Sequence, residues 1–263
     1  MITFVSPHYN GGTHLEKMSF SLMQLKERLN YPIEWVIVDD CSTDNSYAVA
    51  RNIKENIDWV RLIQLDKNSG PGIARIKGAE AAIYDYIFLI DVDDEILLDN
   101  CIDFIGFFTK EKNNFDFFYC PLLIKEIAST QQPLLPYPKK MHIVKKPTDF
   151  IRFGFPQPSS LILRKEFYLA LDKGVNLPWG EDFYTYMSIA KAGLGLRWEM
   201  PVSIYIISPY GRGARISFKN RVLLSWELFK ASFFKGKIFD SLLFTFYLTI
   251  RHMISYLYKR FLK

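Results

Sequence analysis

Apolar and polar stretches alternate in short units along the first part of the chain. Residues 1–6 form an apolar run ending in Ser6-Pro7, which predicts a buried strand. Leu15, Met18, Leu22, Leu25 and Leu29 follow at helical spacing and predict an amphipathic helix. Thr13-His14-Leu15-Glu16 has the form of a capping box for its start. A second apolar run, Ile33–Val38, stops at Asp39-Asp40, and Ser42, Thr43 and Asp44 offer N-caps for a helix over roughly 45–54. Val60–Leu65 predicts a third strand. Asn68-Ser69-Gly70-Pro71-Gly72 then turns into a helix reaching about Ile83, with Pro71 suited to its first turn. Tyr86–Ile90 predicts a fourth strand, closed by Asp91-Val92-Asp93-Asp94. Such alternation predicts an α/β fold, a mostly parallel sheet flanked by helices. Its polar clusters all fall at the C-terminal ends of strands, where open α/β sheets bind ligands.

Beyond Asp94 the alternation weakens. Leu97–Phe108 reads as a helix and Phe115–Cys120 as a strand. The proline- and lysine-rich stretch 121–147 reads as a long loop placed to help form an acceptor site. Ser160–Leu163 reads as a strand, Gly180–Lys191 as a helix, Leu196–Ile207 as strand-rich, and Tyr210–Arg215 as a flexible basic loop. The division expected is a catalytic domain over 1–218, with a nucleotide-binding half at 1–95 and an acceptor-binding half at 96–218. A helical, basic and aromatic extension over 219–263 follows it.

Composition narrows the classes. The chain has 263 residues, 49% of them hydrophobic and 23% charged, which excludes a disordered chain and suffices for a large core. Three widely spaced cysteines, Cys41, Cys101 and Cys120, suggest neither a zinc site nor a disulfide framework. The opening residues lack the regions of a signal peptide, so a cytoplasmic location is expected. The net charge of +5 is unevenly placed: residues 215–263 carry ten Lys and Arg against two acids, a net of +8, leaving the other 214 residues at −3. A nucleic-acid partner is not expected, because the basic excess lies in the tail rather than on the folded body.

Four clusters carry candidate chemistry. Asp91, Asp93 and Asp94 end a hydrophobic strand with hard oxygen ligands suited to Mn²⁺ or Mg²⁺, a phosphate completing the coordination. Asp39-Asp40 ends another strand, where a carboxylate can accept hydrogen bonds from a base or ribose. The glycines of 68–72 leave room for close approach to an anion, though no Walker A lysine follows. Trp179-Gly180-Glu181-Asp182 offers a general base at a helix start. Taken singly, each cluster also fits ordinary helix capping or a strand–helix turn.

In this order the blocks Val5–Asn10, Trp35–Asp44, Asn68–Gly78, Asp91-Val92-Asp93 and Trp179–Asp182 resemble the inverting glycosyltransferases of family 2, with the GT-A (Rossmann-like) fold, over roughly residues 1–215. The resemblance implies Ser6, Tyr9, Asp40, Arg75 and Asp91 as nucleotide contacts and Asp93 as metal ligand. It implies Asp182 as the base that deprotonates the acceptor, with Glu181 and Trp179 supporting it or binding acceptor, and Arg212 or Arg215 closing over the diphosphate. Cys41 stands where the family commonly has Gly, which suggests a turn without positive φ. The processive members' Gln-x-x-Arg-Trp motif is missing, which favours transfer of a single sugar. The expected reaction moves one sugar from a nucleotide-sugar, a UDP-sugar by preference, to a glycan or lipid-linked acceptor in cell-surface polysaccharide synthesis. The rivals are a non-catalytic membrane-associated scaffold of the same fold and a nucleotidyltransferase. The basic, aromatic tail predicts peripheral association with the inner face of the cell membrane; packing on the body or a homodimer contact is the alternative.

Overall fold

The computed structural model describes residues 1–126, 140–174, 177, 180–207, 216–233 and 236–261. The first half is a chain of strand–helix units: β1 (Ile2–His8), α1 (Gly12–Arg28), β2 (Ile33–Asp39), α2 (Ser46–Asn56), β3 (Val60–Gln64), α3 (Pro71–Ala81) and β4 (Tyr86–Leu89). After Asp94 come β5 (Glu95–Ile96), α4 (Leu98–Glu111), β6 (Phe117–Tyr119), β7 (Leu123–Glu126), β8 (Met141–Val144) and α5 (Pro147–Phe153). The chain continues through β9 (Leu161–Arg164), α6 (Lys165–Ala170), α7 (Glu181–Ala192), β10 (Gly195–Trp198), β11 (Ser203–Ile207), α8 (Phe218–Ser232) and α9 (Ile238–Phe261).

Eight strands form one sheet in the order β3-β2-β1-β4-β9-β6-β10-β8, and β5-β11-β7 form a small second sheet. The β3-β2-β1-β4 half is wholly parallel, as the strand–helix alternation predicts. The other half is mixed: β9 runs antiparallel to both β4 and β6, and β8 antiparallel to β10, while β6 and β10 are parallel. Successive side chains of β1 enter opposite cores: Phe4 joins Leu22, Trp35 and Phe88 on one face, and Val5 joins Ile87, Leu89 and Tyr119 on the other.

The structure corrects three expectations here. α1 begins at Gly12 with Gly11 as N-cap and no side-chain cap, so Thr13 and Glu16 form no capping box. Its first amide instead donates to Ser46 Oγ of α2 at 2.8 Å, a partner from far along the sequence. Residues 121–147 are not one loop: they contain β7 and β8 and lead into α5, while residues 127–139 lie outside the described residues. The tail is not a separate unit either. Leu224 and Leu228 of α8 and Phe244 and Leu248 of α9 are buried in the same core cluster as Tyr186, Met187 and Ile189 of α7.

Candidate active site

The site lies at the C-terminal ends of the parallel strands. Gly70, at φ 83°, is the N-cap of α3, and Pro71 occupies the first turn. Asp40 fixes this entry, accepting hydrogen bonds from the Ser69 amide at 2.7 Å and the Gly70 amide at 2.8 Å. α3 then runs close along the sheet: a Cβ on Gly78 would come within 2.4 Å of Val5 Cγ1. That approach seats Arg75, one turn earlier, under the strand ends.

Arg75 joins the two halves of the site. Its side chain is 6% exposed. Nη2 donates to both Asp91 carboxylate oxygens at 2.8 and 3.1 Å, and Nη1 donates to Asp182 Oδ1 at 3.0 Å. Burial opposes its charge, but Asp91 and Asp182 outweigh that and hold the guanidinium firmly protonated. Asp182 lies in the first turn of α7 beside Glu181, after Gly180 at φ 83°. It keeps 37% of its side chain exposed, so a hydroxyl can reach it. The strand-end acids crowd one another. The Asp94 carboxyl is pushed up to about 8 by burial and then by the charge of Asp91. Asp93, though it touches solvent, is also shifted up by the surrounding protein and by Asp91.

Among the described residues, no group of three or more His, Cys, Asp or Glu forms a protein-only metal cage. The donor set still fits a hard divalent cation. Carboxylate oxygens are its ligands, and Asp91, Asp93 and Asp94 supply them side by side at the end of β4. Mg²⁺ in particular binds through one or two carboxylates plus substrate phosphates rather than a full protein cage.

Of the residues predicted from sequence, the structure brings Arg75, Asp91 and Asp182 into contact, with Glu181 adjacent. Tyr9 stands exposed at the end of β1, able to take a stacked ring on its face. Ser6 is not brought to the site: it is fully buried, and its Oγ accepts the Trp35 indole N–H at 2.9 Å. Asp40 holds the α3 entry as described. Trp179, Arg212 and Arg215 lie outside the described residues. Cys41 has φ 61°, so the turn does need the left-handed region, contrary to the reading that its Cys implied.

Several residues were missed by the sequence reading. Ser159 Oγ accepts the Asp91 amide at 2.9 Å and bonds the Asp94 side chain, positioning both acids from the turn before β9. Tyr168, Lys173 and Tyr186 line a small cavity with Arg75 and Asp182. The Lys173 ammonium donates to the Leu169 and Leu171 carbonyls at 3.1 and 2.7 Å and lies 5.0 Å from the Tyr168 ring centre. Tyr186 was findable, being four residues after Asp182 on one helix face. Tyr168 and Lys173 carry no local signal.

Comparisons with known proteins bear on the family and the fold. The family model described as glycosyl transferase family 2 matches residues 3–168. A putative teichuronic acid biosynthesis glycosyltransferase, TuaG of Bacillus subtilis, is 28% identical over 95 residues, 36% of this chain and 36% of TuaG. The succinoglycan biosynthesis protein ExoO of Rhizobium meliloti is 37% identical over 95 residues, 36% of this chain and 26% of ExoO. These matches span about a third or less of either relative's length. Among solved structures, S. aureus TarS 1-349 in complex with UDP-GlcNAc superposes over 100% of this chain and 76% of its own, with a TM-score of 0.70 at 16% identity. The mannosyltransferase PcManGT of Pyrobaculum calidifontis, in complex with GDP-Man and Mn²⁺, covers 94% of this chain and 69% of its own, with a TM-score of 0.59 at 17% identity. The fold is therefore GT-A, and the chain belongs to glycosyl transferase family 2.

Proposed function

We propose that this protein transfers a single sugar from a UDP-sugar to a hydroxyl of a glycan or lipid-linked acceptor in surface polysaccharide synthesis, with inversion at the anomeric carbon. The observation that carries this reading is the Arg75 bridge, which sets Asp91 of the nucleotide half and Asp182 of the acceptor half on one guanidinium. A strand-end acid and a solvent-reachable carboxylate are thus held either side of one cationic group. The UDP-GlcNAc of the TarS complex supports a UDP-linked donor, and TuaG and ExoO support a surface glycan as product.

Asp182 accepts the acceptor proton as the hydroxyl oxygen bonds to the anomeric carbon. The bond from that carbon to the phosphate oxygen breaks, and the nucleoside diphosphate leaves from the opposite face. Arg75 holds Asp182 in place for the hydroxyl, through its 3.0 Å bond to Oδ1. Tyr9 offers a face for the base, and Arg212 and Arg215 are assigned to the diphosphate. Asp93, with Asp91 beside it, would hold the Mn²⁺ or Mg²⁺ whose chemistry, when bound, is to neutralise the leaving diphosphate.

The test is turnover of a panel of nucleotide-sugars with Mn²⁺, reading release of nucleoside diphosphate. Asp182→Asn should lower transfer by about 10²–10⁴-fold while retaining donor binding. Release of pyrophosphate would replace this reading with a nucleotidyltransferase. Donor binding without turnover by the wild type, across acceptors, would favour the scaffold.

A further inference from the structure

Helices α8 and α9 are apolar on two sides. Inward, Leu224, Leu228, Phe244 and Leu248 complete the catalytic core. Outward, α8 presents Val222, Trp226, Phe229 and Phe233 at helical spacing, with Trp226 55% exposed. The rings form a continuous strip: Trp226 stacks on Phe229 at 5.7 Å, and Phe229 meets Phe233 edge-on at 5.2 Å. The outer face of α9 repeats the pattern with Phe239, Leu243, Phe246, Ile250 and Ile254, of which Phe239 is 73% and Phe246 65% exposed. Beside α9 this face continues into a groove floored by Ile151 of α5 and edged by Arg152. A helix face that met only water would be polar. Exposed apolar stripes on both helices mark surface that is covered in use.

Charge selects the cover. Exposed Lys219, Lys230 and Arg251 accompany the stripes, with Glu227 paired to Lys230 at 2.7 Å as the acid beside them. A second copy docked through the same face would bring Lys219, Lys230 and Arg251 towards their own copies, because a two-fold contact pairs a patch with itself. An anionic surface has the complementary sign. Aromatic and aliphatic side chains flanked by Lys and Arg suit a helix lying in the headgroup region. No helix among the described residues is long and apolar enough to cross a membrane.

We propose that the outer faces of α8 and α9 dock this protein onto an anionic lipid bilayer, with the two helices lying in the interface. The basic side chains draw the protein to the surface and the aromatic stripes insert below the phosphates. The inference does not depend on the sugar donor, and its test uses no substrate.

The experiment is co-sedimentation of the full chain with vesicles of phosphatidylcholine alone and with added phosphatidylglycerol, at low and high salt. Binding to the anionic vesicles should exceed that to the neutral ones by at least about tenfold and weaken with salt. The paired substitution Trp226→Ser and Phe246→Ser should lower it at least about tenfold with an unchanged Tm. A second pair, Lys219→Glu and Lys230→Glu, leaves the apolar stripes intact and should lower binding to anionic vesicles alone. Equal binding to both vesicle types, or binding unmoved by either pair, overturns the proposal. So does a stable dimer that does not bind vesicles and that Trp226→Ser with Phe246→Ser dissociates.

Discussion

Cys41 takes a φ of 61°, a region that costs an L-residue roughly 1–2 kcal/mol relative to its preferred backbone. Its thiol makes only a long contact, 3.7 Å to the Asp66 carbonyl, so little offsets the cost. Cys41→Gly should therefore stabilise the protein by up to about 1 kcal/mol, part of the gain being lost to glycine's freer unfolded chain, as read by urea unfolding. A lower midpoint for the variant would mean the side chain contributes more than the backbone loses. Asp94 makes a sharper case. Its folded carboxyl lies near 8 against an ordinary 3.8, so the folded state holds the proton more tightly than the unfolded chain. The stability this contributes is complete below about pH 4 and lost progressively up to about pH 8. In chelator, the Tm of the wild type should fall relative to that of Asp94→Asn as pH rises through that window. Parallel curves would show that Asp94 does not carry this proton. The acids themselves were legible in the sequence, because strand-end carboxylates are a local pattern. What they bond to was not: nothing local says that Arg75 reaches both Asp91 and Asp182, 16 and 107 residues away. Nor did local sequence tell that Ser6 faces Trp35 instead of a ligand.

Among the elements, the β3-β2-β1-β4 half was readable because each strand is an apolar run bounded by turn residues and α1 buries Leu15, Met18, Leu22 and Leu25 at helical spacing. β7 and β8 were not, being four residues each and paired with partners distant in sequence. In β8, Met141-His142-Ile143-Val144 is too short and too close to lysines on both sides to stand out as an apolar run. α7 carries Asp182, the proposed base, and it is braced at both ends by α8. At its start, a Cβ on Gly180 would come within 2.5 Å of Leu224 Cδ2. At its end, the buried Lys191 ammonium donates to the Ala231 and Ser232 carbonyls at 2.8 and 3.0 Å. Gly180→Ala meets both the positive φ and this contact, and should destabilise by about 1–3 kcal/mol while displacing Asp182. Thermal melts and turnover measured together check it: a variant with unaltered Tm and kcat would mean that Leu224 yields without moving α7.

For the whole molecule, the boundary drawn at residue 218 marks a change of charge and not a gap in packing. Truncation after Asn220 removes Leu224, Leu228, Phe244 and Leu248 from the core. Losing one such side chain typically costs about 2–5 kcal/mol, and the total stability of a domain is about 5–15 kcal/mol. The truncated chain should therefore fail to fold, with no cooperative melt; a soluble, cooperatively melting fragment would contradict the shared core. Tail composition is legible from sequence as basic and aromatic, but a two-sided helix reads the same whether one side or both are covered.

The bracing of α7 by α8 bears on how such an enzyme can diversify. A tail that touched the body only through a linker would be a modular address label, exchangeable among relatives without disturbing the chemistry. Here the helix whose outer face is proposed to meet the bilayer also wedges Leu224 against Gly180, at the start of the helix that carries Asp182, and receives the Lys191 ammonium at its last turn. Swapping the tail therefore means re-fitting the active site, and a grafted helix must bring a matching wedge and matching carbonyls. If α8 docks the protein on lipid as proposed, where it works and how well it works are inherited together.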